Sequence, residues 1–259
     1  MPNSTTRAVV VGGTQGLGYA IADQLIAEGC RTLVISGRDE AKGERAAKAL
    51  SRTGTTVEFI RADMASIDDC TGLIEKASSR IGPLNGLVNA AAACDRGGLL
   101  DTTPELWSKL MDTNARGPFF VMQAFVRQAK AEALAASIVN IVSMVIHCGQ
   151  SYLASYSASK AALANITRNT AQAFRHDRIR CNAIACGWMD TPGEDATQKR
   201  FHAAPEDWLA RAEAAQPFGQ LVKPAEVAPL AAYLISPRSG VMTGAIIDCD
   251  QNVAGAYPE

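Results

Sequence analysis

The sequence predicts an α/β protein: one domain over residues 1–259, built on an open parallel sheet of about seven strands with helices on both faces. Two observations carry this. Apolar runs of strand length alternate with longer helical patterns along the chain, which implies right-handed crossovers between parallel strands. The strand runs are also nearly continuous in apolar residues, as expected when both faces of a sheet are covered.

Ala8-Val9-Val10-Val11 forms the first strand. Gly18 to Glu28 follows as a helix, with Ala20, Ile21, Leu25 and Ile26 at helical spacing and Gly29 closing it. Thr32 to Ser36 is the second strand, Asp39 to Ser51 a charged, alanine-rich helix, and Val57 to Ile60 the third strand. Ser66 suits an N-cap, with Asp68 and Asp69 in the first turn behind it. Leu84 to Asn89 is the fourth strand. Thr103-Pro104 opens a long helix running to Leu134, Thr as cap and Pro at the first helical position, with a bend at Gly117-Pro118. Ile138 to Ser143, the helix Ser155 to Phe174, and Ile179 to Ala185 come next. Residues 190–223 read as an irregular stretch with Trp208 and three prolines, too long for a simple connection and suited to a substrate lid. Pro224 to Leu234 is the last helix and Ala245 to Ile247 the last strand.

Composition narrows the function classes. Lys and Arg number 25 against 26 Asp and Glu, so there is no basic excess of the kind a nucleic-acid or anionic-membrane binder shows. No stretch approaches the ~20 apolar residues of a membrane span, and Met1 to Arg7 is short and polar, unlike a secretory leader. The seven cysteines are scattered with no C-x-x-C pair, which argues against a zinc ribbon or a thioredoxin site and for a reducing, cytoplasmic setting. No Cys/His cluster suggests a metal.

Val11-Gly12-Gly13-Thr14-Gln15-Gly16-Leu17-Gly18 lies where the first strand hands over to the first helix. Glycines there permit a tight turn and close approach of a pyrophosphate, which then faces the free N–H groups of the helix start. The expectation is a Rossmann-type dinucleotide site. The spacing is Gly-x-x-x-Gly-x-Gly rather than Gly-x-Gly-x-x-Gly.

With that turn, four further segments fall in a characteristic order. They are Asn89-Ala90-Ala91-Ala92 after strand four, Asn114 in the long helix, Ser143 before Tyr156-Ser157-Ala158-Ser159-Lys160, and Cys186-Gly187-Trp188-Met189-Asp190-Thr191-Pro192 after strand six. Together they resemble the compact branch of the short-chain dehydrogenase/reductase family over essentially the whole chain. Val11 stands where that family usually has Thr, Asn-Ala-Ala-Ala replaces Asn-Asn-Ala-Gly, and Cys186 replaces a Pro.

The resemblance implies an NAD(P)-dependent enzyme that moves a hydride between nicotinamide and an alcohol/ketone pair, with Asn114, Ser143, Tyr156 and Lys160 as its catalytic set. Tyr156 is the implied general acid/base. A free tyrosine has a pKa near 10, and a neighbouring ammonium four positions on along one helix face favours the phenolate. Lys160 also holds the nicotinamide ribose by resemblance, Ser143 hydrogen-bonds the substrate oxygen, and Asn114 holds a water that relays protons. A Tyr–Lys pair, a Ser after a strand or an Asn in a helix is ordinary by itself; the joint order gives them weight. The three-residue gap between Tyr156 and Lys160 favours carbonyl over double-bond reduction, since enoyl-reducing relatives use a wider gap. The competing class is a non-catalytic dinucleotide sensor or scaffold, which loss of one of the four would have indicated.

The resemblance assigns the cofactor to Gly12, Thr14, Gln15, Gly16, Leu17 and Gly18, and to Gly37 and Arg38 after strand two. Asp63 and Met64, then Asn89, Ala90 and Ala91, and finally Gly187, Met189 and Thr191 complete the set with Tyr156 and Lys160. An NAD binder commonly places an acid near position 37 for the ribose 2′-OH. Here Gly37 leaves room and Arg38 can pair with a 2′-phosphate, favouring NADP(H) over NAD(H). Gln15, the neighbouring acid Asp39, and stacking of Arg38 on adenine keep NAD(H) open. The implied substrate pocket over Ser143 and Tyr156 is lined by Cys94, Val145, His147, Gln150 and Trp188. Trp188 fits a pocket wall or the core, and His147 and Gln150 fit the pocket or its rim. The partner is a small molecule, not nucleic acid or membrane. The family implies a homotetramer or homodimer, for which the small face of Ala158, Ala161, Ala162 and Ala164 suits either helix packing between copies or this chain's own core.

Overall fold

The computed structural model describes residues 1–256. Its centre is one seven-stranded parallel sheet in the order β3-β2-β1-β4-β5-β6-β7. The strands are β1 (Arg7–Val11), β2 (Thr32–Gly37), β3 (Thr56–Arg61), β4 (Gly86–Asn89), β5 (Ala136–Ser143), β6 (Ile179–Cys186) and β7 (Ile246–Cys249). Side chains alternate across β1. Ala8 and Val10 join an apolar core under α1 (Gly16–Ala27), α2 (Glu40–Leu50) and α9 (Pro224–Ile235). Val9 and Val11 join the opposite core, under α3 (Ile67–Ile81), α5 (Gly117–Ala131) and α6 (Ala154–Phe174). Both faces are therefore covered, which explains the unbroken apolar runs.

Register decides where the site forms. Val11 is level with Ser36 on one side and Asn89 on the other, and Ser143 is level with Cys186. The turns that follow these residues line one edge of the sheet. The strand order reverses between β1 and β4, so the crevice of an open α/β sheet opens at this point.

The helix starts follow their capping residues. Asp39, Ser66 and Thr103 each accept a backbone N–H from the turn ahead, at the starts of α2, α3 and α4 (Pro104–Met111). The long helix read over 104–134 is not continuous. It is broken by a π-helical turn over Asp112–Arg116 before α5 resumes at Gly117. Pro118 sits at the start of α5, where a missing N–H is harmless, so the irregularity lies in the turn before it. Residues 190–223 also differ from the irregular reading: they carry α7 (Pro192–His202), capped by Thr191, and α8 (Trp208–Ala214). The seven cysteines are all free thiols. Among the described residues no helix is long and apolar enough to cross a membrane, and no group of His, Cys, Asp and Glu is placed to hold a metal.

Phe125 of α5 is fully buried in the second core. Phe125→Ala is expected to lower unfolding stability by about 3–5 kcal/mol. Denaturant titration checks this as a lower midpoint with an unchanged slope.

Candidate active site

The glycine turn is shaped by close backbone contacts. Gly12 has φ +79°, and a Cβ on it would lie 2.6 Å from the Ala91 nitrogen beyond β4. A Cβ on Gly18 would lie 2.2 Å from the Gly12 carbonyl oxygen. Only glycine permits both approaches. Gln15 stands at the N-cap of α1 but its side chain makes no cap hydrogen bond, in contrast to Asp39, Ser66, Thr103 and Thr191. The first N–H groups of α1 thus keep their donor capacity beside a cradle that side chains would fill, and the residues present fit the pyrophosphate of a dinucleotide. The Ser36 hydroxyl, buried beneath the turn, and the Asn89 Oδ1 have no hydrogen-bond partner.

At the tip of β2, Gly37 lies against Thr14, and Arg38 is exposed. Asp39 turns its carboxylate onto the Lys42 backbone N–H at 2.9 Å. It therefore caps α2 rather than opposing Arg38. Lys42 itself reaches back to Gln15 Oε1 across the mouth of the turn. After β3, Asp63 Oδ1 accepts from Ala65 N at 3.0 Å, and Met64 is buried against the start of α5. Asn89 is buried and donates to Asn140 at 2.8 Å, while Ala90 and Ala91 are partly open. Gly187 packs on Asp250, Met189 pairs with Val222, and Thr191 lies 3.5 Å from the place of a Gly16 Cβ.

Asn114, Ser143, Tyr156 and Lys160 converge from three elements. Asn114 lies in the π turn, fully buried. Its Oδ1 accepts from Ala93 N at 2.8 Å, and its Nδ2 donates to Ala93 O at 2.9 Å and to Ser159 Oγ at 3.0 Å. Both amide hydrogens are thereby taken, and the side chain pins the segment after β4 to α6. Ser143 ends β5 facing Tyr156 on α6. Lys160, buried one turn further on, donates to Ile141 O at 2.9 Å. Its Nζ lies 5.8 Å from the Tyr156 ring centre.

The electrostatics differ from the simple expectation. Tyr156 is not brought towards phenolate: burial raises its pKa above the usual 10, negative charge at Cys94 adds to the rise, and the Ser143 hydroxyl opposes it. Burial likewise draws the Lys160 ammonium from 10.5 down to about 8. Each group loses hydration, and that loss outweighs what opposes it, the Ser143 hydroxyl at Tyr156 and the Cys94 and Cys186 sulfurs at Lys160.

Cys94 lines a cavity with Ala196, Thr197, Arg200 and Phe201 of α7, and Val145 is half-buried in the turn after β5. Trp188 is not core: it is 41% exposed, stacks on Trp208 with ring centres 6.2 Å apart, and donates from Nε1 to Glu194 at 2.9 Å. His147 turns to Asp248 on β7 at 2.9 Å, and Gln150 is exposed at the rim. Two charged residues escape a sequence reading. Arg96 and Glu194 approach to 3.6 Å across the pocket mouth, with side chains 12% and 13% exposed. Neither belongs to a motif, and at 98 positions apart they give no local signal; only the fold joins them. Lys42 was equally unmarked.

Three comparisons bear on this site. Residues 11–252 match a family model described as Enoyl-(Acyl carrier protein) reductase. The chain is 33% identical over 240 residues, 92% of each chain, to the NADP-dependent (R)-specific alcohol dehydrogenase of Lentilactobacillus kefiri. Among solved structures it resembles one titled short chain dehydrogenase/reductase family protein, at 30% identity and TM-score 0.83 over 97% of this chain and 98% of that one. It also resembles actinorhodin polyketide ketoreductase with NADPH, at 28% identity and TM-score 0.90 over the same shares.

The lowered Lys160 pKa carries a signed stability consequence. The folded chain releases this proton near pH 8 and the unfolded chain near 10.5, so between them the unfolded state holds more protons and stability rises with pH. Below about 8 the full desolvation penalty applies. Lys160→Met is therefore expected to melt at a higher temperature than the parent protein at neutral pH. The gap should narrow as pH rises from about 8 to 10.5, as read by thermal melts across that range.

Proposed function

The chain belongs to the short-chain dehydrogenase/reductase family, and from that membership we propose that Tyr156 is its general acid/base, with Ser143, Lys160 and Asn114 as its supporting set. The protein is an NAD(P)-dependent oxidoreductase acting on CH–OH groups. The observation that carries the residue assignment is the Ser143 hydroxyl facing the Tyr156 phenol, with Lys160 buried one turn further along α6 and its Nζ 5.8 Å from the Tyr156 ring centre.

A bound nicotinamide supplies the hydride donor or acceptor. In the reducing direction Ser143 donates a hydrogen bond to the substrate carbonyl oxygen, and Tyr156 O–H gives that oxygen its proton as charge develops. The raised Tyr156 pKa suits this role, because it keeps the phenol protonated. In the oxidising direction Tyr156 must take a proton, and the protonated Lys160 ammonium stabilises the phenolate. Both Asn114 Nδ2 hydrogens are taken by Ala93 and Ser159, so a relay water rests on an acceptor, the Asn114 Oδ1 or backbone of the π turn. The three-residue spacing of Tyr156 and Lys160 supports ketone and alcohol chemistry despite the enoyl-reductase description of the matching model.

NADP(H) is the proposed preference. Arg38 is exposed at the tip of β2, Asp39 is occupied as a helix cap, and Lys42 adds a second cation beside Gln15. The L. kefiri relative is named as NADP-dependent, which fits. The substrate cleft is closed over by residues 190–223 acting as a lid on a single catalytic domain. Free thiols throughout fit a cytoplasmic enzyme. Exposed Leu99, Leu100, Trp107 and Phe119 fit a homotetramer or homodimer, with Ala161 open on α6 and Ala164 taken into the chain's own core.

Tyr156→Phe is expected to reduce turnover by about 10²–10⁴-fold while NADPH still binds. A screen of alcohols and ketones read by nicotinamide absorbance, with fluorescence titration of the cofactor, checks both halves. NADPH is expected to bind more tightly than NADH, and Arg38→Ala to weaken NADPH alone by about tenfold or more. Equal weakening of both cofactors would remove the 2′-phosphate role.

A further inference from the structure

The mouth of the site holds a cation whose charge has one partner among the described residues. The Arg96 guanidinium lies on the segment after β4, nearly enclosed. Its Nη1 donates to Cys94 O at 2.9 Å and Cys94 Sγ at 3.1 Å, its Nε donates to His202 Nε2 at 3.1 Å, and Tyr152 lies under it with the ring centre at 5.7 Å. None of these partners is a carboxylate. Among the described residues its Nη2 reaches only the Glu194 carboxylate, at 3.6 Å, an ion pair beyond hydrogen-bond length. The neighbouring charges cancel elsewhere: Asp95 faces Lys109 at 2.8 Å and Arg200 at 3.8 Å, and Asp195 faces Lys199 at 3.2 Å.

Glu194 belongs to α7 and is held from its own side. Trp188 Nε1 and Gln198 Nε2 both donate to its Oε1, at 2.9 and 2.6 Å. It can leave Arg96 and keep two hydrogen bonds, whereas Arg96 would then be an enclosed cation with no counter-charge, a costly state. A cavity of 130 Å³, lined by Cys94, Asp95, Thr197 and Arg200 among others, separates the two segments beside the pair, so they are not packed solid. The Arg96 segment runs beside the start of α6, the helix that carries Tyr156: Gly97 bridges to Leu153, and Ala154 N donates to Gly97 O at 3.0 Å.

We propose that Arg96 is the anchor for a carboxylate on the substrate, and that Glu194 is an internal stand-in which a substrate carboxylate displaces as α7 opens. The substrate class is then an oxo or hydroxy acid whose carboxylate reaches Arg96 while its carbonyl or hydroxyl carbon faces Tyr156. The proposal rests on the oxidoreductase reading above. Arg96 is a specificity residue in it, with no part in proton transfer.

The test compares ketone pairs that differ in charge: levulinate with its methyl ester, and acetoacetate with its methyl ester, each reduced with NADPH. The parent enzyme is expected to favour at least one carboxylate over its ester in kcat/KM. Arg96→Met is expected to lower that ratio by about tenfold or more, mainly through KM, and Arg96→Lys to restore much of it. Glu194→Gln, which removes the competing charge, is expected to lower KM for the carboxylate. Trp188 fluorescence gives a readout apart from turnover, since levulinate should perturb it in the parent enzyme and not in Arg96→Met. If esters are reduced but neither variant moves the carboxylate-to-ester ratio, or if both depress the two members of a pair equally, Arg96 is only a latch for α7 and the proposal falls. If neither acids nor esters nor simple ketones turn over, while levulinate still perturbs Trp188, the oxidoreductase reading fails and the anion site stands.

Discussion

The chain depends on how closely two backbones meet where β1 and β4 part. With an atom more at Gly12, the turn after β1 would strike Ala91; with an atom more at Gly18, α1 would strike the turn. These contacts set the entry angle of α1 and so aim its free N–H groups along the sheet edge. They also fix the segment after β4, which carries Ala93, Cys94 and Arg96 towards the site. Side chains decorate this geometry; they do not create it.

A second layer of order is polar and buried. Asn140 links Asn89 of β4 to Thr167 of α6, at 2.8 and 2.9 Å. Asn114 ties the loop after β4 to Ser159, and Lys160 ties α6 to the β5 backbone. A buried polar group left without its partner costs about 1–3 kcal/mol, so each link penalises any shift of α6 along the sheet. Tyr156 and Ser143 are on opposite sides of that junction. Holding their hydroxyls in register is what these internal bonds accomplish, and a helix packed only by Leu and Ala would tolerate sliding.

The elements legible in the sequence were those written in local chemistry. Asp39, Ser66 and Thr103 marked helix starts because a cap acts within three residues. The glycine turn and the Tyr156–Lys160 spacing were legible for the same reason. The π turn was not, because Asp-Thr-Asn-Ala-Arg reads as ordinary helix and the extra residue is accommodated by tertiary contacts of Asn114. Helices α7 and α8 were hidden by weak apolar periodicity in residues 190–223. The Tyr156 pKa followed burial rather than the visible lysine, and burial is a property of the whole fold. The pairing of Arg96 with Glu194 was invisible for the same reason.

The π turn has a consequence for how this chain can change over generations. Each residue of a helix advances the side-chain direction by about 100°. The wide turn over Asp112–Arg116 absorbs that step, so α5 keeps its apolar Val121, Met122 and Phe125 stripe on the sheet despite one extra residue. Loss of a single codon in that stretch would restore regular winding with α5 still in phase, and would take away the turn that holds Asn114 against Ala93 and Ser159. Substitutions on the exposed face of α5 are readily absorbed, but the length of this five-residue turn is frozen. Insertions and deletions in lineages of this protein should therefore collect in the loops and spare it.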